Sequence, residues 1–432
     1  MSGPTRHDVV VVGAGPAGLA AAVAASERGR SVLVLDQAPH AGGQVWRHRR
    51  GERPAPVLVE LLRRLAARGG AIARRAAVLD CPAPGELVVD FDGRIDRITA
   101  PALVLATGAV ERLLPFPGWT LPGVTGVGGL QALLKAGLAL RGQRVVLAGT
   151  GPLLLPAAAT VVKGGGELVM IAEQARGSQV VRFAGRALTD PARLLQALRL
   201  RMATIASPYR ADSWVVAAHG EDRVREVTVH VQGAERVIAC DWLAAAAGLL
   251  PRTELAELLG CALAGGGDGG GISVDDDQAT SVPGIWAAGE CCGVKGETAG
   301  MAEGTIAGCM AADAPTTIPS RTRKIQAAGR RFGGLLEAAF APRPELLRRV
   351  TPETIVCRCE DVPAGAIDPA WSPRQAKLWT RAGMGSCQGA VCGPACTALY
   401  GWGRNAVRPP LASPPLGAWA GALTRDGEPT TP

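Results

Sequence analysis

The sequence predicts an α/β fold made of two dinucleotide-binding units, each a strand, a glycine loop and a helix, followed by a small cysteine-bearing module. Three observations predict it. Four valines, Val9–Val12, lead into Gly13-Ala14-Gly15-Pro16-Ala17-Gly18 and then an alanine-rich stretch. A second run, RVVLAGTGPLLLPAAATVV, repeats the strand-to-helix pattern from Arg144, with Gly149 and Gly151 in its loop. Towards the C-terminus, Cys357 and Cys359 form a C-x-C pair, and Cys387 and Cys392 a C-x4-C pair.

In the first unit the valine run reads as a buried parallel strand. The glycines Gly13, Gly15 and Gly18 then let the backbone approach a pyrophosphate at the start of the following helix, where unpaired N–H groups and the helix dipole favour anions. The next strand, SVLVLD, ends at Asp36, placed to accept hydrogen bonds from an adenosine ribose. Strand, loop, helix and acid together make this motif specific.

Three later segments resemble those of flavoproteins of the pyridine nucleotide-disulfide oxidoreductase type. Gly42-Gly43-Gln44 follows Asp36 at the distance where that superfamily passes the chain under the flavin. LVLATGA, with Thr107 and Gly108, resembles its second fingerprint. GIWAAGE, ending at Gly289 and Glu290, resembles the third, with Glu290 in place of the usual Asp. The resemblance implies FAD rather than NAD in the first unit. It also implies a helix near Ala299-Gly300-Met301 whose N-terminus stabilises negative charge on a reduced flavin.

The second unit has Gly149 and Gly151, but Leu154 stands where the third glycine belongs and Pro156 falls early in the helix, where it is tolerated. Its second strand, ELVMIAE, ends at Glu173, an acid that suits NAD over NADP. Two readings stay open: a competent NAD site, or a structural remnant whose fold persists without the function.

Four thiolates are what a 2Fe-2S cluster requires. Zinc also takes four, but C-x-C strains two ligands on one tetrahedral ion, and no histidine follows His230. Cys396 is the rival for the fourth ligand. VCRCEDV and KLWTRAGMGSCQGAVCGPAC resemble the 2Fe-2S module of bacterioferritin-associated ferredoxin. With the flavoprotein motifs, over residues 7–405, the chain is similar to the α subunits of heteromeric amine and imino-acid dehydrogenases. That family includes opine oxidase, D-hydroxyproline dehydrogenase, dye-linked proline dehydrogenase and hydrogen cyanide synthase. The resemblance implies that Cys357, Cys359, Cys387 and Cys392 hold the cluster. It also implies a separate flavoprotein β subunit of the amino-acid oxidase type that oxidises the substrate, with room for a small third subunit.

Composition bounds the rest. A chain of 432 residues has room for two or three domains, and 47% hydrophobic against 19% charged residues describes a globular protein. The net charge of +8 comes from scattered arginines, so the short basic clusters at 47–50 and 321–331 read as solvated faces; an acidic partner for the second remains open. This argues against nucleic acid. Eleven cysteines, an odd number, do not form a secreted disulfide framework. Glycines and prolines interrupt the apolar runs from Val9 and over Val145–Val162, so neither reads as a signal peptide or a membrane span, and a cytoplasmic protein is expected.

The expected boundaries are an FAD domain over 1–115 and 241–315, an inserted NAD-like domain over 116–240, a helical linker over 316–350, the cluster module over 351–405 and a flexible tail over 406–432. GGGDGGG at 265–271 reads as a turn. WVVAAH and REVTVHVQG read as strands. Adjacent Cys291 and Cys292 read as packing residues, since neighbouring cysteines have the wrong geometry for a C-x-x-C redox pair. Trp46 is open between flavin wall and core. No catalytic base is identified. The expected activity is that of an electron-transferring FAD/2Fe-2S subunit. Its alternatives are an NADH-dependent reductase feeding its own cluster and a mainly structural subunit.

Overall fold

A computed structural model of the chain describes residues 5–48, 51–187, 191–265, 270–403 and 407–420. The chain divides into two compact units, one formed by residues 1–110, 250–333 and 406–432 and the other by 111–249 and 334–405.

In the first unit a parallel sheet runs in the order Ile285–Ala287, Ala102–Leu105, Val9–Val12, Val32–Asp36, Ala71–Arg74. Val9, Val10 and Val11 are wholly buried, as a strand covered on both faces requires. The helix Pro16–Ser26 packs against a second helix, Glu297–Ala311. A Cβ at Gly304 or Gly308 would lie 2.0 or 2.2 Å from the carbonyl oxygen of Ala17 or Ala21, so only glycine permits this approach. The second helix starts at Glu297, earlier than the Ala299–Met301 expected, because Gly296 turns the chain at φ 87° just before it.

The second unit holds a parallel sheet in the order Val124–Thr125, Trp242–Ala245, Arg144–Gly149, Glu167–Glu173, Tyr209–Arg210. Beside it lies an antiparallel sheet of Ser213–His219, Glu226–Val231 and Ala234–Ala239, which contains the two strands expected there. The stretch Val145–Val162 is the expected strand, turn and helix, with the helix at Leu154–Lys163. Among the described residues no helix is long and apolar enough to cross a membrane.

The cysteine module belongs to this second unit. A short pairing of Ile355–Cys357 with Val362–Pro363 and the helices Pro373–Thr380 and Cys392–Tyr400 enclose a core of Val356, Val362, Ile367 and Ala376. Ser372 starts the first helix with a reciprocal capping box to Gln375. The Trp119 indole N–H donates to the Ile355 carbonyl at 2.5 Å, and the Arg358 guanidinium lies 4.9 Å over the Trp119 ring.

One expectation needs correction. The tail is not free along its described part: Leu411 N–H donates to Leu79 O at 2.8 Å, and Ala418 is buried against Leu79 and Ile95. The basic stretch 321–331 keeps Arg321, Lys324 and Arg331 exposed, while Arg323 and Arg330 form surface ion pairs with Asp277 and Asp276. Most of the 265–271 turn, Arg49, Arg50 and the end of the tail lie outside the described residues.

Candidate dinucleotide and cysteine sites

The first glycine loop is built as an open cradle. A Cβ at Gly13 would lie 2.2 Å from Ala106 O, and one at Gly18 would lie 1.8 Å from Gly13 O, so these two glycines are spent on packing loop, strand and helix together. Gly15 differs. A Cβ there would meet no atom within 4 Å. The helix begins at Pro16, so its first N–H groups face this empty space. Asp36 closes the far side, its carboxylate accepting from Ala14 N–H at 2.6 Å and Ala38 N–H at 2.7 Å. The loop and acid fit the pyrophosphate and ribose of FAD.

The other expected flavin-site residues lie around this cradle. Gly42 N–H donates to Ala14 O at 2.8 Å, and a Cβ at Gly43 would come 3.0 Å from Gly15 Cα, so this segment crosses directly over the loop. Gln44 is exposed. Trp46 is buried and donates its indole N–H to Glu297 at 2.9 Å, at the start of the helix Glu297–Ala311. Thr107 donates its hydroxyl to Arg252 O at 2.7 Å, and Gly108 takes φ 75° beside it. Gly289 has φ 85°. The Glu290 carboxyl makes no hydrogen bond or ion pair among the described residues, and burial raises its pKa.

One element was missed from the sequence. Glu303 is fully buried, forms a 2.6 Å ion pair with Lys295 and accepts Gly289 N–H at 3.0 Å, fixing the third fingerprint from beneath. A lone glutamate inside the small, apolar stretch AGMAEGTIAG was the available signal. Cys291 and Cys292 sit at the same turn with their sulfurs 3.9 Å apart. Cys291 is fully buried, as a packing residue would be.

The second loop has the same plan and a different state. Glu173, the acid that would suit NAD if the site were competent, is fully buried, accepting Gly151 N–H at 2.7 Å and Ala175 N–H at 2.9 Å. Burial raises its pKa to about 7. Leu154 is itself buried and begins the helix, two positions later in the motif than Pro16 does. Pro152, like Pro16 in the first loop, supplies no N–H. The Gly151 position is covered by Phe340, whose ring carbons would lie 3.6 and 3.7 Å from a Cβ there.

In the module, Cys357, Cys392 and Cys396 are buried, Cys387 is half-buried and Cys359 is exposed. Hydrogen bonds from the Cys387 backbone and thiol hold the Cys359 thiol below its ordinary pKa. Burial, with Cys357, Cys396 and Cys387 beside it, pushes the Cys392 thiol up. Cys359 is thus paired with Cys387, while Cys392 has Cys357, Cys387 and Cys396 beside it. A Cβ at Gly385 would lie 2.1 Å from Cys359 Cβ, so a glycine is required where this loop passes the first pair. Among the described residues no three potential ligands converge as a single metal ion would need. Four neighbouring thiols suit two bridged irons. Cys396 also neighbours this group, and burial raises it to about 12.

Comparison with known proteins places this geometry. Residues 7–311 match the pyridine nucleotide-disulphide oxidoreductase family. One of the opine oxidase subunits of Rhizobium meliloti (strain 1021) is 33% identical over 453 aligned positions, which span 95% of this chain and 97% of that protein. The HcnB chain of hydrogen cyanide synthase from Pseudomonas aeruginosa is 32% identical, across 89% of this chain and 90% of its own. Among solved structures, L-proline dehydrogenase from P. horikoshii superposes with a TM-score of 0.68 at 19% identity, covering 97% of this chain and 80% of that one. Thioredoxin reductase from T. acidophilum gives 0.54 at 25% identity, over 72% of this chain and 97% of its own.

Proposed function

The chain belongs to the pyridine nucleotide-disulphide oxidoreductase family, and from that premise we propose that it is the electron-transferring FAD/2Fe-2S subunit of a heteromeric amino-acid or imino-acid dehydrogenase. It is an FAD-dependent oxidoreductase. The observation that carries the finer reading is the grouping of Cys357, Cys359, Cys387 and Cys392 within one small module of a flavoprotein chain. Relatives named as subunits of opine oxidase and of hydrogen cyanide synthase support membership of a multi-subunit complex, and the resemblance of the motifs extends this to a substrate of the opine, hydroxyproline, proline and glycine class oxidised on a separate flavoprotein chain.

When bound, FAD takes up two electrons at once and a 2Fe-2S cluster passes them singly, so the pair converts hydride chemistry to one-electron flow. This chain's residues hold and orient. The Gly15 loop and the helix after it receive the pyrophosphate, Asp36 the ribose, and Glu303 with Lys295 keeps Gly289 in its turn. Cys357, Cys359, Cys387 and Cys392 are the cluster ligands. The rival reading, reduction by NADH bound at Gly149 and Gly151, is weakened by Glu173, which takes the Gly151 N–H, whereas Asp36 binds Ala14 N–H and leaves Gly15 open.

The test is elemental and spectroscopic. The anaerobically purified chain is expected to carry about two irons and two labile sulfides. Cys357→Ser or Cys387→Ser should abolish the cluster absorbance and spare FAD, while Cys396→Ser should leave both. Native zinc in place of iron would overturn the cluster. For the heteromer, the isolated chain should not oxidise proline, hydroxyproline, opines or glycine with a dye acceptor, and coexpression with the partner flavoprotein should restore turnover of one of them. Full turnover by the isolated chain would place the active site here instead.

A further inference from the structure

We infer that the second dinucleotide unit is a docking site for the chain's own linker: Phe340–Arg343 occupies the mouth of the Gly149–Gly151 loop, fastens the polypeptide leading to the cysteine module, and keeps a nicotinamide dinucleotide out. The inference does not depend on what the cysteines bind.

The polar side chains at this loop, and the Gly151 N–H, already have partners. Thr150 donates its hydroxyl to Phe340 O at 3.0 Å. The Gln174 amide, buried at the end of the second strand, donates to Thr150 Oγ1 at 2.8 Å and to Ala341 O at 3.1 Å, and its oxygen accepts Arg343 N–H at 3.1 Å. Gly151 N–H is held by Glu173. Anion binding at a glycine loop needs free N–H donors. Here the central donor is internally satisfied by a buried carboxyl group.

The space is filled as well. The Phe340 ring is 9% exposed, lies over Gly151 and meets the Phe183 ring edge-on, centroids 4.9 Å apart. Arg343 pairs with Asp212 and with Glu345 at 2.8 Å, and its guanidinium lies 4.7 Å over the Trp214 ring. The cavity left beside Gly149, lined by Ala148, Gln174, Trp214, Ala246 and Arg349, measures about 20 Å³. That is room for a water molecule.

Backbone hydrogen exchange and ligand titration on the intact flavin-loaded chain test this. In the wild type the amides of 341–350 should be protected, and NAD+ or NADH up to about 1 mM, the top of the usual range of Michaelis constants, should show no saturable binding. Phe340→Ala should speed exchange across 341–350 about tenfold or more, with flavin content unchanged. Gln174→Leu, which removes the hydrogen bonds from the opposite side, should do the same. Because these two variants perturb different packing, one remains informative if the other fails to fold. Wild-type protection of 341–350 that survives both substitutions would overturn the docking role. Saturable NAD+ binding by the wild type, with Gly151 newly protected, would overturn the exclusion.

Discussion

The two glycine loops of this protein start from nearly the same sequence and end in opposite states. Each has an acid at the end of its second strand that accepts two backbone N–H groups, one of them two residues further along the chain: Ala38 for Asp36 and Ala175 for Glu173. The other donor differs by one residue. Asp36 reaches Ala14, between the glycines, and leaves the space at Gly15 open. Glu173, one methylene longer, reaches Gly151 itself and removes the donor on which a pyrophosphate would settle. The third glycine position reinforces the contrast. Gly18 allows the first helix to begin at Pro16, whereas Leu154 delays the second, and Phe340 then covers the vacated mouth. A fold-level motif therefore fixes the strand, loop and helix, while a methylene and a buried leucine decide whether the loop is an anion site.

The largest effect that would break this contrast is steric. Gly15 has φ −77°, which any residue adopts, and its Cβ would point into open space, so Gly15→Val should fold normally while weakening FAD retention about 10- to 100-fold. Flavin absorbance per protein after gel filtration measures it, and undiminished flavin would remove the cradle from Gly15.

Glu173 should matter for stability alone. Glu173→Ala strands two buried N–H groups and is expected to cost about 2–4 kcal/mol in the second unit, read by denaturant unfolding, without changing FAD content. The same carboxyl gives a pH signature. Its folded pKa, about 7, lies above the ordinary 4.5, so the folded state holds the extra proton between these values. Its stabilising contribution is thus complete below about pH 4.5 and is lost as pH rises through about 7, up to about 3 kcal/mol in all. Glu173→Gln should flatten that slope. An unchanged slope would mean that another group titrates there.

The smallest effect is at Asp36. Asp36→Ala loses a ribose acceptor and two backbone bonds, and a cost of about 1–2 kcal/mol with a roughly tenfold weaker hold on FAD is expected. Equal flavin loss from Glu173→Ala and Asp36→Ala would erase the distinction between the units.

Much of this was legible in the chain itself. Val9–Val12, the first glycine motif and Asp36 specify a buried strand, a tight loop and an acid through local geometry, and the spacing of Cys357, Cys359, Cys387 and Cys392 puts four thiols on one short module. The second unit was equally legible as strand, turn and helix. Its openness was not. The acid at its strand end has the same local signature whether it faces a ribose or turns inward, and the phenylalanine that covers its loop comes 189 residues after Gly151, on a segment that reads only as a helical linker. The ion pair of Lys295 with Glu303 was hidden for the same reason, since burial of a charge depends on which helices pack over it. The sequence by itself determined the elements and the chemistry they carry, because periodicity, glycine and proline act on neighbouring residues. Only the tertiary structure decided which loop is open, because that depends on hydrogen bonds and side-chain volume brought together from distant parts of the chain.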